Sequence, residues 1–217
     1  MRAWLVIAAS TFAVVGFAGG AAAQRDAASA YYLVRPDLRL CPSPICGGAW
    51  VRRVNHATTR CVDGSEARAC YVASTTGVPE ALWSARAGSV LVRGRIVAAR
   101  IDGFPDLGRL AAVAAWRPAG QREPRGTTFR VIDNGVRCVT SPCFSLTADT
   151  LETTRRRTLS DIDLAVVGAT ASDLRRAERA IAAGGLLVTG TVRTVPDAGP
   201  AGAGRALRAT QIWLRPS

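Results

Sequence analysis

The chain contains no lysine: all 28 of its Lys+Arg residues are arginine. It has one histidine and one methionine. Without lysine there is no phosphate loop of the G-x-x-x-x-G-K type. One histidine excludes a cluster of histidine metal ligands and the H-E-x-x-H helix of a zinc peptidase. The nucleophile elbow G-x-S-x-G is also missing, since "AGSVLVRG" does not fit it. The histidine, His56, has no evident nucleophile or orienting acid beside it and reads as a surface loop residue. "GPAGAGRA" at 199–206 lacks the full dinucleotide fingerprint and lies between two expected strands, so it reads as a mobile loop. Asp161 and Asp163 fall on one side of an extended segment. Such a pair can do acid–base work or bind Ca²⁺, but it reads first as a polar strand entry. No catalytic residue, metal or cofactor is assigned, and a carboxylate hydrolase ranks last among the functional readings.

Long apolar runs are scarce too. The one that exists, "AWLVIAASTFAVVGFAGG", follows Arg2 and precedes "AAAQ", with Ala21 and Ala23 as the small residues before a cleavage point. This is the pattern of a secretory signal peptide over residues 1–23. The run approaches the ~20 residues that span a bilayer, so an uncleaved anchor competes; the Gly/Ala-rich end favours cleavage. No membrane span is expected after cleavage, and the mature chain is expected to be periplasmic or secreted.

Acidic residues are few against the arginines: 16 Asp+Glu leave a formal net charge of +12. Such an excess suits an acidic polymer, polysaccharide or nucleic acid. An arginine-only, alanine-rich composition also fits a GC-rich genome. The arginines are scattered apart from 51–54, 154–158 and 173–179. Within the last group Arg175, Arg176 and Arg179 are candidate polyanion contacts.

The chain repeats itself. "SVLVRGRI" at 89–96 aligns with "GLLVTGTV" at 185–192, and Trp116-Arg-Pro aligns with the Trp213 segment that also ends in Arg-Pro. The two Cys-x4-Cys loops lie 97 positions apart. The expected organisation is therefore a tandem duplication, with module 1 at 30–118, a linker at 119–126 and module 2 at 127–217. Each module reads as β-β-β-α-β-β, mainly β with short helices (an α+β class). That is the element order of a small OB-like barrel; a sheet with one packed helix is the competitor. The third strands are expected at 70–75 and 164–170. The helices are expected at 79–87 and 173–183, the second capped by Ser172.

Six cysteines in an exported chain read first as disulfides. Module 2 holds only Cys138 and Cys143, so independent folding pairs them. The matching loop then pairs Cys41 with Cys46, leaving Cys61 with Cys70 across an Asp63-Gly64 turn. Zinc on Cys41, Cys46, Cys61 and Cys70, and a redox centre, remain as competing readings. Trp50, Tyr31 and Tyr32 near the first cysteine loop are candidate stacking residues; aromatics in strands are more often core.

The segments "YYLVRPDLRLCPSPICGGAWVRRVN", "TRCVDGSEARACYVA" and "DNGVRCVTSPC" resemble a family of exported bacterial proteins known only as a domain of unknown function. The resemblance covers almost the whole mature chain and implies an exported, cysteine-bearing protein with no catalytic residues to carry over. The leading expectation is a disulfide-stapled, non-enzymatic binding or structural protein of the cell envelope. Its partner would be an envelope or extracellular component, and its oligomeric state is open. Arginine-mediated binding of an acidic polymer and a protease-inhibitor-like role are the alternatives.

Overall fold

The computed structural model describes residues 29–84, 88–120 and 122–216. The expected signal peptide, residues 1–23, lies outside them. Alternation builds the strands. In β1 (Ala30–Pro36) Ala30, Tyr32 and Val34 are buried; in β2 (Ala49–Arg53) Ala49 and Val51 are buried while Trp50 and Arg52 face out. A small hairpin follows, β3 (Thr59–Arg60) with β4 (Glu66–Ala67). Then come β5 (Cys70–Thr76), a short helix α1 (Ala81–Ser84), β6 (Val90–Ala98) and β7 (Gly108–Pro118).

These strands close on themselves. β1 pairs with β2 and β6, β2 with β5, and β6 with β7, all antiparallel, while β5 and β7 run parallel. The result is a five-stranded barrel with no long free edge, which removes a template for unwanted pairing. Val34, Val51, Val72, Val92 and Leu110 fill it.

The second half contains β8 (Thr127–Asp133), β9 (Leu146–Thr150), β10 (Arg156–Leu159), β11 (Asp161–Asp163), α2 (Ala171–Ala182), β12 (Leu186–Val195) and β13 (Gly204–Leu214). β8 pairs with β9 and β12, β9 with β10, and β12 with β13, all antiparallel; β11 runs parallel to β13. Between β10 and β11 stands Ser160. Its N–H donates to the Arg205 carbonyl at 2.8 Å, and its Oγ accepts from the Arg205 N–H at 2.9 Å. The chain thus passes from β9 to β13 across one broken strand. Helix α2 closes over this half with Ala177 fully buried and Leu174 and Ile181 packed beside it.

Both halves place a bulge at a glycine in their last strand pair, at Arg93/Gly94 and at Thr189/Gly190. A Cβ on Gly94 would meet the Ala111 carbonyl oxygen at 2.4 Å, and one on Gly190 the Arg208 carbonyl oxygen at 2.3 Å. The neighbouring backbone leaves room only for glycine.

Two expectations need correction. The third strand of the second half is β10–β11, not 164–170; residues Ala165–Val167 form a 3-10 turn ended by Gly168 at φ 71°. The apolar run there drops Val167 into the core from a turn. The real strand was hidden because Arg156, Arg157 and Thr158 face solvent and only Leu159 is buried. The N-cap of α2 is Thr170, whose side chain accepts from the Asp173 N–H at 3.2 Å; Ser172 lies inside the first turn.

The halves are joined in one seam. β7 and β13 pair antiparallel through Arg117↔Leu214 and Pro118↔Trp213. Leu33, Val54, Leu91, Trp116, Leu151, Leu187 and Trp213 form a shared apolar cluster. Asn55 donates to the carbonyls of Thr128 (2.8 Å) and Leu151 (2.9 Å) and accepts from the Thr128 N–H (2.8 Å). In return Glu152 accepts from the Tyr31 N–H at 2.9 Å and from Arg53 at 2.6 Å. Asn55 and Glu152 both hold a left-handed backbone, φ 59° and 62°. They stand 97 positions apart, as do Tyr31 and Thr128, Val54 and Leu151, Trp116 and Trp213, and Arg117 and Leu214. The contacts across the seam are therefore reciprocal.

Candidate functional site: two disulfide-framed loops

The loop from Asp37 to Gly48 joins β1 to β2. Its base is closed by the Asp37 N–H donating to the Gly48 carbonyl at 2.9 Å. The disulfide Cys41–Cys46, with Cα atoms 5.4 Å apart, cinches its tip. Arg39 folds back over the base. Its Nε and Nη2 grip the Asp37 carboxylate at 2.9–3.0 Å, and Nη2 also donates to the Ile45 carbonyl at 3.0 Å. The Asp37 side chain is only 1% exposed, and the hydrogen bonds from Arg39 hold its carboxyl below the usual carboxylate range. The guanidinium lies 5.3 Å from the Trp50 ring centroid and 5.5 Å from that of Tyr71, close enough for cation–π attraction. Trp50 and Tyr71 meet edge to face at 5.5 Å. The Tyr71 hydroxyl donates to the Pro44 carbonyl at 2.8 Å and accepts from the Gly48 N–H at 3.2 Å. With its backbone so tied, the loop turns its apolar side chains outward: Leu38, Leu40 and Ile45 are 83%, 103% and 51% exposed.

The loop from Asn134 to Ser145 joins β8 to β9 on a matching frame. The Asn134 N–H donates to the Ser145 carbonyl at 2.9 Å. Cys138–Cys143 cinches the tip, with Cα atoms 5.5 Å apart. Arg137 pairs with Asp133 at 2.8 Å, and its hydrogen bonds again lower the carboxyl. The Ser141 carbonyl accepts from the Ala201 N–H at 2.8 Å, tying the loop to the 199–202 turn. Val136 and Val139 face outward, and Val139 is fully exposed. Both loops carry a cis Ser-Pro, at Ser43–Pro44 and Ser141–Pro142. A third disulfide, Cys61–Cys70, pins the β3–β4 hairpin. No described cysteine is free, so zinc on cysteine thiolates and a free-thiol redox centre find no thiols here.

Of the expected stacking residues, only Trp50 belongs to this site. Tyr32 faces the barrel interior, and burial pushes its hydroxyl above the ordinary value. Tyr31 packs on Trp116, ring centroids 5.7 Å apart, at the seam. Both sit at the start of β1, whose seven residues carry the chain roughly 20 Å before the loop begins. Arg175, Arg176 and Arg179 lie on α2 and, among the described residues, make no hydrogen bond or ion pair to either loop. Arg176 donates to the Arg215 carbonyl at 2.8 Å, while Arg175 and Arg179 are exposed. Asp161 and Asp163 lie on β11 beside β13, and His56 is an exposed residue after β2. The residues missed from sequence are Asp37, Arg39 and Tyr71. The local signal was the Asp-x-Arg spacing before the first cysteine and Asp-x-x-x-Arg before the second.

Among the described residues no helix is long and apolar enough to cross a membrane. Fold and site together define a mainly β, disulfide-stabilised protein with five-stranded barrel closure. The chain belongs to the family described as "Domain of unknown function (DUF6748)", which it matches over residues 30–217. That match takes in both halves and both cysteine loops. No curated protein and no solved structure matches it.

Proposed function

We propose that the chain is an exported, non-enzymatic binding protein of the bacterial envelope or exterior, built from two copies of one OB-type barrel. Its disulfide-framed loops are the contact surface. The barrel assignment is supported by the order of pairing in each half: first strand with second and fourth, a parallel third and fifth, and a helix between third and fourth. Duplication is supported by the reciprocal seam and the matching glycine bulges. Export is supported by the three disulfides and the apolar start of the sequence.

One observation carries the binding reading. Two loops use the same frame of main-chain closure, arginine–carboxylate pair and disulfide, and each spends that rigidity on holding apolar side chains in water. Pre-ordering lowers the entropic cost of association, and two loops that each hold apolar side chains in water in this way are what a contact surface requires. Oxidised protein should therefore retain a partner from a cell-envelope extract at high salt, and L40S/I45S or V136S/V139S should release it. Equal retention by all three proteins, or none at high salt, overturns the reading. A protease is one partner that a rigid loop suits; unchanged rates across a protease panel would remove it.

A further inference from the structure

We infer a second, separate site: a cationic groove on the outer face of the second barrel that takes an acidic polysaccharide chain. Gly120, Arg122 and Arg125, in the expected linker, are each tied to β13. Gln211, 1% exposed, donates from Nε2 to the carbonyls of Gly120 (3.0 Å) and Arg122 (2.9 Å), and its Oε1 accepts from the Gly120 N–H at 2.9 Å. Thr210 Oγ1 donates to the Arg125 carbonyl at 2.7 Å and accepts from the Arg125 N–H at 3.0 Å. The segment is thereby strapped along β13. Between the strap and the face of β12 and β13 lies a groove of about 740 Å³. Arg122 and Arg125 line it from the strap, Arg193 and Arg208 from the strands.

The charges are not balanced locally. The one acid on the groove, Glu123, is already paired with Arg35. None of the four groove arginines makes an ion pair among the described residues. Thr191 stands opposite Arg208 in the strand register, so Arg193 and Arg208 are diagonal neighbours on one face, where like charges repel unless something neutralises them. Beyond Thr191 lies a second hollow of about 220 Å³ lined by Arg155, Arg157 and the edge of Phe129, which is 4% exposed.

The first half arranges this face differently. Its bulge register places Val97 where the second half has Arg193 and Ala111 where it has Arg208, and it carries Arg95 and Arg109 at the positions of Thr191 and Ala206.

The shape and lining choose the ligand class. No aromatic side chain lines the main groove, and single-stranded nucleic acids are held largely by stacking on aromatics. An oxidising environment, consistent with three disulfides, holds glycans rather than genomes. Carboxylates or sulfates spaced along a sugar chain would meet successive guanidinium forks.

The test uses the oxidised full chain with alginate, dextran sulfate, neutral dextran and a single-stranded oligonucleotide, at 50 and 500 mM NaCl. Alginate or dextran sulfate should bind at low salt and weaken at least tenfold at high salt, with neutral dextran silent. The variant R193V/R208A installs the first half's residues and should lose at least tenfold in affinity. R175A/R179A on α2 removes the same charge and should change it less than twofold. If the strand variant does not fold, judged by its melting curve, R122A/R125A on the strap carries the same comparison. Equal losses in groove and α2 variants, tighter binding of the oligonucleotide, or no binding of either acidic glycan at 50 mM NaCl would each overturn the inference.

Discussion

Asp37 shows how much of the first loop depends on one carboxylate. It is buried against Arg39, which in turn covers Trp50 and Tyr71. Its folded pKa lies below the unfolded value. The pair therefore stabilises the fold above the ordinary carboxylate range, about pH 4, and that contribution is lost as pH falls through the lowered value. The Trp50 indole resonance should hold steady from pH 7 to about pH 4 and then shift in acid. In Asp37→Asn it should already sit at the shifted position at pH 7. An identical titration in both proteins would refute the link. Trp50 was named from sequence for its place beside the first cysteine loop, with a core position the preferred reading; the alternation of β2 turns it outward instead. Arg39 and Tyr71 were not, because their meeting depends on β2 pairing with β5, a contact between residues distant in the chain.

Among the elements, the cysteine loops and the strands were legible to different degrees. Spacing and module count led to all three disulfides, since local bridges leave few alternatives once the second half is seen to hold two cysteines. The broken strand β10–β11 was illegible, because three of the four residues of β10 face water and leave no alternating apolar signal. The eventual closure of the barrel was readable only as element order. For the loop itself, C138S/C143S should lower stability by about 2 kcal/mol in the chain-entropy model. That cost would appear as a lower melting temperature with the rest of the fold intact. A global loss of structure would mean that the bridge supports more than its loop.

Across the whole molecule, the seam governs whether either half can stand alone. Leu91, Trp116, Leu187 and Trp213 are all under 10% exposed in the joined chain, and separation would bare them on both sides. Residues 30–118 expressed alone should sediment as a dimer or aggregate, not as a folded monomer. A monodisperse, cooperatively melting monomer would show that the shared cluster is dispensable. Sequence repeats suggested two modules, but not that Asn55 and Glu152 would exchange equivalent hydrogen bonds between the two halves, since neither residue type is repeated. That exchange has a consequence for dilution. Two separate copies meeting through reciprocal contacts would drift apart as the surrounding volume grew, because association follows concentration. The strap that joins β7 to β8 along β13 fixes the effective concentration of one half around the other. A few molecules released into a large volume would still present both loops, and at a constant separation.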